Sequence, residues 1–237
     1  GPGRYFDLDV SGIERVPDAP AMMVSNHSGG TSIPDVWGFG FAWYRRFGTS
    51  RPIHPMAHEV ILSTKTTARF FGRIGVLRAG RGVAKDVLTT WRRDLLVMPG
   101  GDLDTWRPYK DRYTVQFGGR TGYARTAIQA GVPIVPVANA GAHETLFVLT
   151  DGQGLAKRLR LQELTRAQVF PISLSFPWGL TIGPWPHLPI PTTLRSRFGT
   201  PIVVPQMDDP DDDTVVEVDE AVRTAVQGLL DELRETR

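Results

Sequence analysis

The chain has no cysteine. That excludes thiol nucleophiles, cysteine-ligated metals and structural disulfides, and it suits a reducing compartment. No run of about 18 or more apolar residues occurs, so no transmembrane helix is expected. No secretory leader is visible. Gly1-Pro2-Gly3 reads as a remnant of cloning, with a native N-terminal segment missing. No Gly-x-Ser-x-Gly elbow is present, which argues against an ordinary α/β-hydrolase. Gly118-Gly119-Arg120-Thr121-Gly122 lacks the Lys-Ser/Thr of a P-loop and does not fit the dinucleotide fingerprint. His54, His58 and Glu59 lack zincin spacing, and no metal site is expected. There is no internal repeat, and no nucleic-acid partner is expected.

What is present suits a folded domain. Of 237 residues, 41% are hydrophobic and 22% charged, so a packed core needs no disulfides. The formal net charge is only +2, but it is unevenly spread. Arginine and lysine cluster in 69–93 and 107–125, and acidic residues dominate 207–220. A basic face could meet phosphate-bearing ligands or anionic lipid; a mixed solvated surface is the plainer alternative.

One stretch organises the rest. The apolar run Ala21-Met22-Met23-Val24 empties into Asn26-His27-Ser28-Gly29-Gly30-Thr31-Ser32-Ile33-Pro34-Asp35, and Pro34 opens a helix over 35–47. In an open α/β fold such a strand end is where ligands sit. His27 can take a proton from an alcohol near neutral pH, and Asp35 can fix its tautomer. Gly29 and Gly30 let a substrate approach the backbone. The other reading makes the whole stretch an ordinary turn. The aromatic content of 35–47 fits a core helix, the wall of an acyl-chain pocket or a surface resting on a membrane.

Further strands are expected at 52–57, just before Arg78, at 94–98, 132–137 and 197–204. Helices are expected at 59–72, 83–93, 121–130 and 155–170, and from about Val215. Residues 1–19 read as irregular, 99–117 as a polar loop, and the proline-rich 171–191 as ordered but irregular. Strands alternating with helices predict a single α/β domain with a mainly parallel central sheet flanked by helices. The boundaries expected are an N-terminal segment at 1–19, the main domain at 20–204, and an acidic linker with a C-terminal helix at 205–237. Arg78 and Arg81 flank Gly80 after a strand, suited to a phosphate or to a solvated turn. His143-Glu144 follows the strand at 132–137, on the sheet edge expected for His27; the pair either supports the site and orients substrate or serves a capping or surface role.

These pieces, in order and spacing, resemble the glycerolipid acyltransferase superfamily. Asn26-His27 to Asp35 looks like its first motif, and Gly72-Arg73-Ile74-Gly75-Val76-Leu77-Arg78 like its second. Val97-Met98-Pro99-Gly100-Gly101 looks like its third, and Val132 to Val137 like its fourth. The Pro-Gly-Gly form, with Gly119-Arg120 and Gly141-Ala142-His143-Glu144, is closest to the monoacylglycerol and diacylglycerol acyltransferase branch. The resemblance implies an acyltransferase-like fold and an acyl-CoA-dependent O-acyltransferase acting on a glycerolipid or lysophospholipid hydroxyl. His27 would be the general base and Asp35 its orienter. Arg78, with Arg81, would hold a phosphate, and backbone amides near Gly29, Gly30, Gly100 and Gly101 would face the oxyanion. No cofactor beyond the co-substrate acyl-CoA is implied. The partners expected are acyl-CoA, a lipid alcohol and a membrane surface, with the protein peripheral on the cytoplasmic face or soluble in the cytoplasm.

Two departures stand out. The family pattern is His, four residues, then Asp, whereas seven residues separate His27 from Asp35 and Ser32 takes the usual Asp position. Either the loop bulges so that Asp35 still reaches His27, or Asp35 is structural. Pro99-Gly100-Gly101-Asp102 replaces the Pro-Glu-Gly-Thr-Arg of many phosphate-acceptor enzymes, which favours a less charged lipid alcohol. A catalytically weak acyl-CoA-binding protein and an acyl-CoA thioesterase are the rival readings.

Overall fold

The computed structural model describes residues 5–161 and 168–236. The chain runs β1 (Asp7–Ser11), β2 (Met22–Ser25), α1 (Pro34–Phe47), β3 (Ile53–Ala57), α2 (Lys65–Arg73), β4 (Leu77–Arg78), α3 (Arg81–Thr89) and β5 (Asp94–Val97). It continues through α4 (Gly101–Thr105), α5 (Gly122–Ala130), β6 (Ile134–Ala140), β7 (Phe147–Thr150), α6 (Gln153–Arg158), β8 (Ile172–Ser175), β9 (Gly179–Ile182), β10 (Thr193–Phe198) and α7 (Asp212–Glu235). Seven strands form one sheet in the order β1-β10-β6-β2-β5-β3-β4. All neighbours are parallel except β10 against β6, so the mainly parallel α/β architecture read from the sequence is what the chain adopts.

The central strands are mostly apolar because both faces are covered. Successive side chains point to opposite faces. Met22 and Val24 therefore enter the core beneath α3, α5 and α7, while Met23 joins Phe39 and Trp43 of α1 on the other face. The α1 helix buries that one side and leaves Trp37, Phe41 and Tyr44 exposed. In α7, Val215, Val218, Val222 and Val226 recur at helical spacing and close the first core, while Leu229, Leu230 and Leu233 cluster with Ala138 and Ala140 of β6. Asp211 caps α7 by accepting from Thr214 N at 2.7 Å. The acidic stretch before it is held as well as solvated: Arg125 bonds Pro210 O and Asp212, and Gln129 bonds Asp208 O.

Several expectations need correction. Residues 7–11, read as irregular, form an edge strand whose partner, β10, lies far along the sequence. The helix expected at 59–72 breaks into a 3-10 turn, Glu59–Leu62, and α2, because Thr64 accepts from Thr67 N and restarts the helix. The loop after Pro99 contains α4. The late strand lies at 193–198, and Ile202 makes only an isolated bridge to Ile134. The helix expected at 155–170 is broken: α6 runs from Gln153 to Arg158, residues 168–170 are not helical, and 162–167 lie outside the described residues.

The largest correction concerns 171–191. It holds β8 and β9, which with β7 make a separate three-stranded antiparallel sheet. Ile172-Ser173-Leu174-Ser175 and Leu180-Thr181-Ile182 alternate at the strand period. The surrounding prolines obscured that alternation.

Candidate functional site

Strands β5, β2 and β6 lie side by side and parallel, so the segments after their C-terminal ends share one sheet edge. Those segments are Asn26 to Asp35, Pro99 to Thr105 and Gly141 to Thr145. Asn26 anchors the first. Its side-chain amide donates to Asn139 O at 2.8 Å and accepts from Asn139 N at 2.7 Å, so it pairs with β6 as a strand residue would. Asn139 in turn donates to Ser25 Oγ and accepts from Ser196 Oγ, each at 2.7 Å.

Beyond Asn26 the chain makes a 3-10 turn, Gly30–Ser32, and Ile33 sits at φ 41°, a strained value for a β-branched residue. This turn takes up the extra residues of the motif and delivers Asp35 in the first turn of α1. Asp35 Oδ2 lies 2.8 Å from His27 Nδ1 and accepts from Ser28 N at 2.7 Å; Oδ1 accepts from Val36 N at 2.8 Å. The carboxylate side chain is 1% exposed and the imidazole 14%. A carboxylate can only accept, so Nδ1 carries the proton and Nε2 is the basic nitrogen.

Support comes from below. His27 N donates to Asp104 Oδ2 at 2.6 Å, and Asp104 Oδ1 meets Arg107 Nη1 in a fully buried pair. Burial lowers the Arg107 pKa to about 10, against the opposing pull of Asp35 and Asp111. His143 is also buried beside Arg107, Arg112 and His27, and its Nε2 has no hydrogen-bond partner among the described residues. Desolvation first, and then Arg107, hold its pKa well below the ordinary histidine value. Glu144 lies 3.8 Å from Arg112, whose guanidinium sits over the rings of Tyr109 and Tyr113. Asp104, Arg107 and Asn139 were not singled out as functional from sequence, whereas His143 is legible there with Glu144; the i, i+3 spacing of Asp104 and Arg107 was the available sign of an ion pair.

The glycines have packing reasons. A Cβ on Gly29 would fall 2.5 Å from the Pro34 ring, and one on Gly30 2.5 Å from Leu146 and 3.1 Å from His187. A Cβ on Gly100 would meet Asp104 and the carbonyl of Gln116 at 2.3 Å. Gly101 has φ 50° and lies against Arg120, which bonds the carbonyls of Pro99 and Gly100 and, at 2.8 Å, Asp102.

Arg78 and Arg81 stand apart from this cluster. Strand β4 is three places from β2, roughly 14 Å at ordinary strand spacing. Both arginines are exposed, at the end of β4 and the start of α3. A cleft of about 530 Å³ is lined by residues including Leu103, Gln116, Gly118 and Arg223, but by neither His27 nor Asp35. Among the described residues, no cluster of three or more His, Asp or Glu side chains could hold a metal ion. No described helix is long and apolar enough to cross a membrane.

Comparison with known proteins follows the same direction. The family model for diacylglycerol acyltransferase matches residues 54–236. An uncharacterised protein of Mycobacterium tuberculosis (strain ATCC 25618 / H37Rv) is 28% identical over 230 residues, covering 95% of this chain and 61% of its own length. The chain thus spans under two thirds of that relative. The Gallus gallus "DGAT1/2-independent enzyme synthesizing storage lipids" is 26% identical over 75% of this chain and 51% of its own. The crystal structure of the 1-acyl-sn-glycerophosphate (LPA) acyltransferase PlsC from Thermotoga maritima superposes with a TM-score of 0.54 at 17% identity, covering 95% of this chain and 73% of that one. At that identity the likeness speaks to the fold.

Proposed function

Since the chain belongs to the diacylglycerol acyltransferase family, we propose that it moves a fatty acyl group from acyl-CoA to the hydroxyl of a glycerolipid-type acceptor, with His27 as general base. The observation that carries this reading is the 2.8 Å contact between His27 Nδ1 and Asp35, which leaves Nε2 as the proton acceptor. The acceptor O–H gives its proton to Nε2 while its oxygen attacks the thioester carbonyl. The tetrahedral intermediate collapses, an ester forms, and the departing CoA thiolate takes the proton from the imidazolium. Asp35 stabilises that imidazolium. The reaction needs no covalent enzyme intermediate.

Backbone donors would stabilise the oxyanion. Ser28 N–H is engaged by Asp35, and Gly101 N–H by Met98 O at 3.2 Å. We therefore assign the role to the Gly29-Gly30 turn. Arg78 and Arg81 would take a phosphate of the CoA nucleotide, lying along the same sheet edge. At the Pro-Gly-Gly-Asp turn, Arg120 is occupied by two carbonyls and Asp102, which favours an uncharged lipid alcohol over a phosphate-bearing acceptor. A lipid acceptor requires the site to meet a bilayer, with the protein peripheral on its cytoplasmic side.

The test is CoA release from a long-chain acyl-CoA, with and without a panel of lipid alcohols, for the wild type and His27→Ala. Acceptor-dependent release that disappears in the variant supports the transferase. Release without acceptor points to a thioesterase, and binding of acyl-CoA without any release points to a non-catalytic relative.

A further inference from the structure

From Ala167 to Leu194 there is no Asp, Glu, Lys or Arg. Within that stretch the ordinary arrangement of polar and apolar residues is reversed. Between Pro171 and Ile190 every exposed residue is apolar, glycine or proline, while Ser173, Ser175, Thr181 and His187 are buried. The hydroxyls turn inward and bond one another: Ser173 Oγ lies 3.0 Å and Ser175 Oγ 3.4 Å from Thr181 Oγ1. The outer face carries Leu174, Phe176, Trp178, Leu180, Ile182 and Trp185, each 47–62% exposed. Strand β7 extends it with Phe147 and Leu149. Contiguous exposed apolar surface of this kind marks an interaction site.

We propose that this face of the β7–β8–β9 sheet, with the segment to Ile190, is seated in the interface of a lipid bilayer. The side-chain donors identify the occupant. The indole N–H groups of the two tryptophans on this face are already satisfied within the chain, Trp178 by Pro186 O at 2.7 Å and Trp185 by Ile182 O at 2.9 Å. Both rings can enter a medium without water and leave no donor unpaired. Charge is complementary too. Helix α6 follows β7, and Lys157, Arg158 and Arg160 are exposed there beside Leu155 and Leu159, a pattern suited to anionic headgroups.

The seat is joined to the catalytic turn. Thr31 Oγ1 donates to Trp185 O at 3.0 Å and Ser32 Oγ to His187 O at 2.7 Å. A lipid alcohol therefore reaches His27 from the membrane side. That last step rests on the acyl-transfer reading; the seating itself is read by binding, so the two can fail separately.

The experiment is co-sedimentation with phosphatidylcholine vesicles, with and without phosphatidylglycerol, together with tryptophan quenching by bromine-labelled acyl chains. The wild type is expected to sediment, more so with phosphatidylglycerol, and to be quenched. Trp178→Phe with Trp185→Phe should keep binding and lose most of the quenching. Leu180→Ser with Ile182→Ser, both at exposed positions, should keep the circular dichroism spectrum and bind at least about tenfold more weakly. Val203→Ser, 87% exposed and outside this sheet, is the control and should bind as the wild type. Equal binding by Leu180→Ser/Ile182→Ser, or no sedimentation of the wild type, overturns the proposal. A lipid-free dimer that the same pair of changes dissolves would assign the face to a second copy of the chain and also overturn it. Turnover of a short-chain soluble acceptor by Leu180→Ser/Ile182→Ser, alongside lost turnover of vesicle-borne acceptor, would uphold both readings. Vesicle binding without any turnover would sink only the catalytic one.

Discussion

Asp104 holds the backbone of His27 at 2.6 Å with one carboxylate oxygen while the other oxygen is paired with the buried guanidinium of Arg107. His27 is thus pinned from two sides, by Asp35 on its ring and by Asp104 on its main chain. Replacing Arg107 by Met would leave Asp104 buried without its cation. Breaking one side of such a pair costs about 3–5 kcal/mol. The variant should show a urea midpoint lowered to match, and an unchanged midpoint would mean that the pair is not structural.

Asp35→Asn keeps the shape but removes the charge and permits the wrong ring tautomer. Turnover should fall by about three to four orders of magnitude, as tautomer loss does in a comparable triad. The circular dichroism spectrum should not change. Activity within a few fold of wild type would assign Asp35 to structure alone.

Stability should depend on His143. Its folded pKa is depressed, chiefly by burial, so below about pH 6.5 the unfolded chain takes up a proton that the folded one refuses. The contribution is fully present above that pH and falls as acid is added, by up to about 1.4 kcal/mol per pH unit. His143→Gln should flatten the profile of urea midpoint against pH between about 7.5 and 5. Parallel profiles for the two proteins would mean that His143 protonates in the folded state as readily as in the unfolded one.

If Arg78 and Arg81 bind the nucleotide phosphates of acyl-CoA, their loss should act on binding rather than on chemistry. Arg78→Ala with Arg81→Ala is expected to raise KM for acyl-CoA about tenfold and leave kcat nearly unchanged. A fall in kcat at constant KM would remove them from the donor site.

The parallel core was readable because the central strands are short, mostly apolar runs, several of them followed by helical spacing. The His27–Asp35 pairing was less so. Its register depends on a 3-10 turn and on Ile33 at positive φ, and neither leaves a mark in residue type. Asp104 and Arg107 were hidden by their polarity: charged residues in a loop read as solvated, and only the fold reveals that both are buried. Strands β8 and β9 were missed for the opposite reason. Their hydroxyls face inward and their leucines outward, so the usual rule that the apolar side is the inside gave no help.

The pairing of β1 with β10 sets Asp7 against Thr193. On a ribosome the first strand therefore has no partner until the tenth has emerged. It waits as a short segment whose alternate residues, Asp7 and Asp9, are acidic and end up exposed. Such charges discourage a waiting strand from pairing with other nascent chains. The edge strand is thus made well before the strand it pairs with, so the time between synthesis of β1 and β10 is a window in which a chaperone would be of most use.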